Sequence, residues 1–232
     1  MAKKVAQMIE EQLQFWRISH PEAREGKRRS EKQPVITISR EFGAKGAALA
    51  NELGKKLSFK VWDKEILDVI SKKLGSSSEY LQALDENSRN LLEDTIFGFM
   101  NHKGTNLNYQ IYLVKAIRSI EDHGSSIIIG RAANFICRNP RSLHVRVVCP
   151  MEERIKQYAA SNKISLKQAR AVIQQKDLER ENFTLFNFNR DVEQASHYDL
   201  ILNSARFSMD EMVELVEQAY ALKKKAKEPI VI

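Results

Sequence analysis

Cysteine is scarce in this 232-residue chain: Cys137 and Cys149 are the two it has. Two isolated thiols build neither a disulfide scaffold nor a cysteine metal cluster, and they fit reduced thiols in a cytoplasmic protein. No apolar run approaches the ~20 residues that a bilayer-spanning helix needs, and the N-terminus reads as no secretory signal, so no membrane partner is expected. Internal repeats, zinc-finger spacings and aromatic RNP-like strands are also missing. What is there is ordinary for a globular protein, 43% hydrophobic and 29% charged residues. This length suits one domain of more than average size with an appendage. The formal net charge of +7 favours anionic ligands, but part of it sits at the ends, in Lys3, Lys4, Arg24, Lys27, Arg28 and Arg29 in front and Lys223, Lys224, Lys225 and Lys227 behind. Such runs are mostly solvated tails, so nucleic acid is the weaker alternative to a small anion.

The chain is organised around Pro34 to Leu57. Val35-Ile36-Thr37-Ile38 is a β-branched run suited to a buried strand. Ala47-Ala48-Leu49-Ala50 with Leu53 and Leu57 has helical composition and spacing. Between them lies a turn with Gly43 and Gly46, flanked by Arg40 and Lys45. A helix start offers unpaired N–H groups and a positive dipole end, and glycines let a phosphate approach the backbone. The pattern GxxxxGK[ST] is not met: aligned on Gly43, the usual lysine position holds Gly46, Ala47 replaces the Mg²⁺-binding hydroxyl, and Lys45 comes one residue early. An ordinary β–α turn therefore stands beside a phosphate site as a reading of this stretch.

Around it, Val5, Met8, Ile9, Leu13 and Trp16 predict an amphipathic helix over 3–18, which docks on its own domain or on a partner subunit and makes a homodimer through this helix an expectation. A polar, basic linker reaches residue 33, the domain runs over 34–225, and 226–232 is a tail. A strand over Phe59–Trp62 ends at Asp63, which reads equally as an N-cap and as a ligand contact. Helices follow over Lys64–Leu74 and over a second region holding Asp85 and Glu86, then a mobile loop over 97–108 and a helix over Tyr109–His123. Ser125–Gly130 reads as a central parallel strand, placing Arg131 at its carboxyl end, where open α/β sheets bind ligands. A surface arginine paired with an acid is the other reading of Arg131. Leu143–Cys149 is a strand, Met151–Ser161 a helix, and Ser165 opens a long helix. There Lys176, Asp177 and Arg180 share one face, able to close over a polyphosphate or simply to form solvated ion pairs. Phe183, Phe186 and Phe188 among asparagines predict a partly ordered hinge. Tyr198–Leu202 is the last strand and Met209–Lys223 the closing helix. The alternation implies a doubly wound parallel α/β sheet flanked by helices.

Ile38-Ser39-Arg40-Glu41-Phe42-Gly43, Asp63-Lys64-Glu65, Asp85-Glu86 and Ile129-Gly130-Arg131-Ala132-Ala133-Asn134 together resemble the cytidylate kinase-like family. So do Leu143 to Val147, Lys176 to Arg180 and Tyr198 to Asn203. The likeness covers about Pro34 to Leu222. It implies a P-loop, nucleoside monophosphate kinase-like fold, with ATP and Mg²⁺ as cofactors. By this resemblance Ser39, Arg40, Glu41, Phe42, Gly43, Ala44, Lys45, Gly46 and Ala47 hold the donor phosphates. Asp63, Asp85, Glu86 and Arg118 lie on the acceptor side, Arg131 binds the acceptor phosphate, and Arg154 matches another substrate-binding arginine. A lid over about 162–190 supplies Lys176, Asp177 and Arg180, which join Lys45 and Arg131 as the catalytic set. No residue is assigned to a metal. Lys45 or Arg40 is expected to supply the charge that the turn lacks at position 46.

Three functions follow as expectations. The leading one is an ATP-dependent phosphotransferase that acts on a nucleotide (CMP-like) or another small anionic acceptor. The second is a nucleotide-binding regulatory or sensor protein without turnover. The third, resting on charge alone, is association with nucleic acid.

Overall fold

The computed structural model describes residues 33–63 and 107–225. The expectations for 1–32, including the N-terminal helix and its dimer, for the helices over 64–106 with Asp85 and Glu86, and for 226–232 lie outside the described residues. In chain order the elements are β1 (Ile36–Arg40), α1 (Gly46–Leu57), β2 (Lys60–Trp62), α2 (Leu107–His123), β3 (Ser126–Ile129) and α3 (Ala133–Ile136). They continue with β4 (Leu143–Val148), α4 (Met151–Asn162), α5 (Leu166–Phe188), a 3₁₀ turn (Ala195–His197), β5 (Leu200–Asn203) and α6 (Met209–Lys223).

Among the described residues all strand pairs are parallel, in the order β2-β3-β1-β4-β5. The chain leaves β1 for one edge, returns through β3 and crosses to β4 and β5 on the other side. The carboxyl ends around β1 therefore form the crevice in which such sheets bind ligands. Ile36 and Ile38 pack with Leu49, Leu53, Val145, Val147, Leu202 and Val216 in the main core, under α1 and α6. Each fully buried aliphatic side chain contributes about 1.5–3 kcal/mol of transfer free energy. β3 is buried at all four positions, as its unbroken apolar run requires.

A second, smaller core joins α4 and α5 through Ile155, Ala159, Ala169 and Ile173, with Phe42 and Tyr158 packed against it. α5 starts at a capping box in which Ser165 and Gln168 satisfy each other's backbone N–H groups. Its continuation corrects the expected hinge: the helix runs unbroken to Phe188 and stops at Asn189 in the left-handed conformation. The Asn187 side chain donates to the Phe183 carbonyl (2.6 Å) and accepts from Gln110 (3.0 Å), so the asparagine that looked like a turn signal holds the helix against α2. α2 also begins at Leu107, inside the stretch expected to be loop.

Candidate functional site

The turn after β1 is shaped by backbone conformations that few side chains accept. Gly43 has φ 82° and Lys45 φ 62°, and α1 then opens at Gly46 with no side-chain cap on its first N–H groups. A left-handed lysine costs of order 1 kcal/mol, which the fold accepts to turn the chain into α1. A Cβ on Gly46 would lie 2.7 Å from Arg40 Cβ, so position 46 has no room for a lysine. Arg40 occupies that space, and its Nη1 reaches to 2.0 Å from where a Cβ on Gly130 would sit. Arg40, at the end of β1, thus places its guanidinium beside this turn and Gly130. Lys45 is exposed beside it.

Beneath the turn, Arg154 is buried (4% exposed) and fully engaged. Its Nε donates to the Cys149 carbonyl (2.8 Å) and its Nη1 to the Phe42 carbonyl (3.1 Å), and it pairs with Asp177 and, at 3.6 Å, with Glu41. Glu41 in turn accepts from the Cys149 N–H at 2.7 Å. From α5, the Asp177 carboxylate also accepts the Phe42 N–H at 2.7 Å, taking a turn donor of the kind a phosphate would use. Arg180 donates to the Arg40 carbonyl (3.1 Å) and lies 5.2 Å over the Phe42 ring, whose edge meets Tyr158. Burial pushes the Arg180 pKa down, and Asp177 opposes that shift. α5 is docked on the turn by these contacts.

Across the crevice, Gly130, Arg131 and Ala132 have φ of 69°, 54° and 55°, three consecutive left-handed residues directly after β3. Strain of this kind, roughly 1–3 kcal/mol per non-glycine residue, persists where surroundings over-determine it and concentrates at functional sites. The Arg131 guanidinium stacks 4.7 Å over Phe183 of α5. Between these parts lies a cleft of about 550 Å³. Its floor carries Arg146, 6% exposed, which donates to Ser39 Oγ (3.2 Å) and stands 5.6 Å over the Tyr198 ring. Tyr198 donates to Val192 O (2.9 Å) and lies 3.3 Å from Ser39 Oγ. Next along the same face, Thr37 bonds His144 Nδ1 (2.8 Å). Burial pushes the His144 pKa down to about 4, against the pull of Asp199, which itself accepts the His144 N–H (2.7 Å) and pairs with Lys223.

The cleft gathers Ser39, Arg40, Glu41, Ala47, Asp63, Arg131, Arg154, Lys176, Asp177 and Arg180 from the expected set. Lys176 pairs with Glu179 at 2.8 Å on its rim. Phe42, Gly43, Ala44, Lys45 and Gly46 form the turn itself without lining this cleft. Arg118 is a correction: it pairs with Glu121 (2.5 Å) and the Ile136 carbonyl, away from the cleft. Glu121 in turn accepts the N–H groups of Arg138 and Asn139, so Arg118 steadies the 137–142 loop. The guanidinium of Arg154 faces carbonyls and carboxylates of the protein, which makes it a positioning residue for the turn. Arg146, Tyr198 and Phe183 enter the site although the sequence reading assigned none of them to it. A signal for Arg146 was present, since it interrupts the apolar strand LHVRVV at a position where a charge has to be buried or used.

A family model described as the cytidylate kinase-like family matches residues 35–206. No curated protein matches significantly. Among solved structures, an uncharacterized protein from Eubacterium ventriosum shares the fold, with TM-score 0.63 and 19% identity over 82% of this chain and 99% of that one. Shikimate kinases from Bacteroides thetaiotaomicron (TM-score 0.44, 11% identity, covering 80% and 96%) and Aquifex aeolicus (0.43, 14%, covering 81% and 96%) are similar too weakly to carry an argument.

Proposed function

Because the chain belongs to the cytidylate kinase-like family, we propose that it is an ATP-dependent phosphotransferase, moving the γ-phosphoryl of ATP to a nucleotide such as CMP or to another small anionic acceptor. The observation that supports this most is a single cleft, at the carboxyl ends of β1 and β3, lined by Arg40, Arg131, Lys176 and Arg180. The start of α1, with no side-chain cap, fits a polyphosphate, and Asp63 at the cleft is an oxygen donor suited to a hard cation. ATP with Mg²⁺ supplies the phosphoryl group and part of the counter-charge. The chain's own work is positioning and charge neutralisation. Arg40 and the turn N–H groups hold the donor, Arg131 orients the acceptor, and α5 excludes water while bringing Lys176 and Arg180 over the reacting groups.

Asp177 on the Phe42 N–H favours a second reading, a regulatory nucleotide binder without turnover, because a carboxylate there competes with phosphate. The discriminating experiment is ATP consumption with Mg²⁺ across CMP, dCMP, UMP, AMP, GMP and small phosphorylated or hydroxylated metabolites, with ATP binding recorded in parallel. Turnover on one acceptor that Arg131→Ala abolishes supports the phosphotransferase. ATP binding with no turnover on any acceptor supports the second reading. Absence of both sinks both.

A further inference from the structure

We infer that the floor of the cleft is a second anion site, in which Arg146, with Ser39 and Asn134, receives a carboxylate or phosphate group of the acceptor, away from the turn that holds the donor. Only the assignment of this anion to an acceptor rests on the phosphotransfer reading; the site itself does not.

The buried Arg154 and the half-buried Arg118 show what a structural guanidinium looks like in this protein. Arg154 is matched by Asp177 and Glu41, and Arg118 by Glu121. Arg146 is as deeply buried, yet among the described residues its contacts are one hydroxyl, Ser39 Oγ, and the face of Tyr198. Neither neutralises a full charge, and burying a cation without a counter-ion costs several kcal/mol. Asp199, just before the neighbouring strand β5, is committed to the His144 N–H and to Lys223. A second, independent sign comes from α3. Asn134 Nδ2 is sealed from solvent and has no acceptor among the described residues, although the side chain lines the same cleft. Buried donors without acceptors are uncommon in native proteins, and at a cleft they mark the place of a ligand oxygen.

The chemistry of the missing group follows from the donors. A guanidinium stacked on one ring face, with a single bond from Nη1 to Ser39 Oγ, keeps the rest of its planar edge for paired oxygens, the geometry of a carboxylate or a phosphate. The Ser39 hydroxyl and the Asn134 amide add neutral donors to further oxygens. Ser39 stands opposite Arg146 in the β1–β4 register, one residue before Arg40, so the two anion sites adjoin on β1 while being served by different cations.

The test is a titration of the full chain with inorganic phosphate and, separately, with acetate, followed through the Arg146 Nε–Hε resonance, which is identified by its absence in Arg146→Lys. The expected result is a saturable shift of that resonance, with anion affinity at least tenfold weaker in Arg146→Met and ATP-analogue affinity within about twofold of the parent. Because the variant deletes an uncompensated charge, its melting temperature without anion is expected to equal or exceed the parent's, which a structural arginine would not allow. A shift with phosphate alone assigns a phosphoryl group, and a shift with acetate a carboxylate. A resonance that neither anion moves overturns the inference, as does a destabilised Arg146→Met with unchanged anion affinity. Should that variant fail to fold, the parent titration decides alone. A floor site that binds anions in a chain that neither binds nor turns over ATP leaves this inference standing and removes the phosphotransfer reading.

Discussion

Arg154 and Arg146 line one cleft and are buried to nearly the same depth, 4% and 6% exposed, but their surroundings differ. Around Arg154, the turn, β4 and α5 bring two carboxylates and two carbonyls, and the result is a closed electrostatic unit that fixes the turn's shape. Around Arg146, among the described residues, there is a hydroxyl and an aromatic ring. The difference teaches where the protein uses charge for architecture and where it leaves charge for a ligand: compensation inside the fold marks the first, and its lack marks the second.

The comparison is tested most strongly at Asp177. Asp177→Ala removes the partner of a buried arginine and is expected to cost about 3 kcal/mol of stability, read from denaturant midpoints. It also frees the Phe42 N–H, so nucleotide affinity should rise as stability falls. A loss of both would mean that Asp177 shapes the turn and does not compete for it.

Beside the cleft, β4 answers to pH through His144. Its folded pKa of about 4 lies below the ordinary 6.5, so the unfolded chain takes up the proton more readily. This contribution to stability is therefore complete above pH 6.5 and is lost as pH falls toward about 4, on the order of 2 kcal/mol once partial exposure is discounted. His144→Gln should flatten the stability profile in that window; an unchanged profile would rule His144 out as its cause.

Gly130→Ala introduces a Cβ at φ 69° and 2.0 Å from Arg40 Nη1. The expected cost is about 1–2 kcal/mol, together with weaker nucleotide binding as Arg40 is displaced. Unchanged binding would show that the position of Arg40 is not needed at the donor side. The smallest effect belongs to Tyr198→Phe, which keeps the ring against Arg146 and deletes the hydroxyl bond to Val192 O and the longer one to Ser39 Oγ. It should lower stability by about 1 kcal/mol and leave anion binding at the floor intact, as followed by thermal melting with and without phosphate.

Much of the fold was legible. The strand–turn–helix of Pro34–Leu57, the apolar β3 and the closing helix α6, whose bounds agree with the structure, carry local signals of period and composition. The expected hinge over Phe183–Asn189 failed because asparagine there acts through Gln110, distant in sequence. Arg118 was misplaced for a related reason. An arginine on a helix face reads the same whether it turns to a ligand or to Glu121 one turn later. Position 46 shows the reverse case: the sequence reveals the lost lysine, while only the contact with Arg40 shows why none fits.

By itself, then, the amino-acid order determined the alternation of strands and helices, the glycine turn at the end of the first strand, and a basic set of residues at strand ends and on one long helix. These depend on neighbours within a few positions, through backbone propensity and hydrophobic period. Tertiary structure alone decided which charges are neutralised. Ser39 meets Arg146 across 107 positions, Phe42 meets Asp177 across 135 and Arg40 meets Arg180 across 140. Electrostatic compensation is a matter of distance through space and of desolvation, and neither is written along the chain.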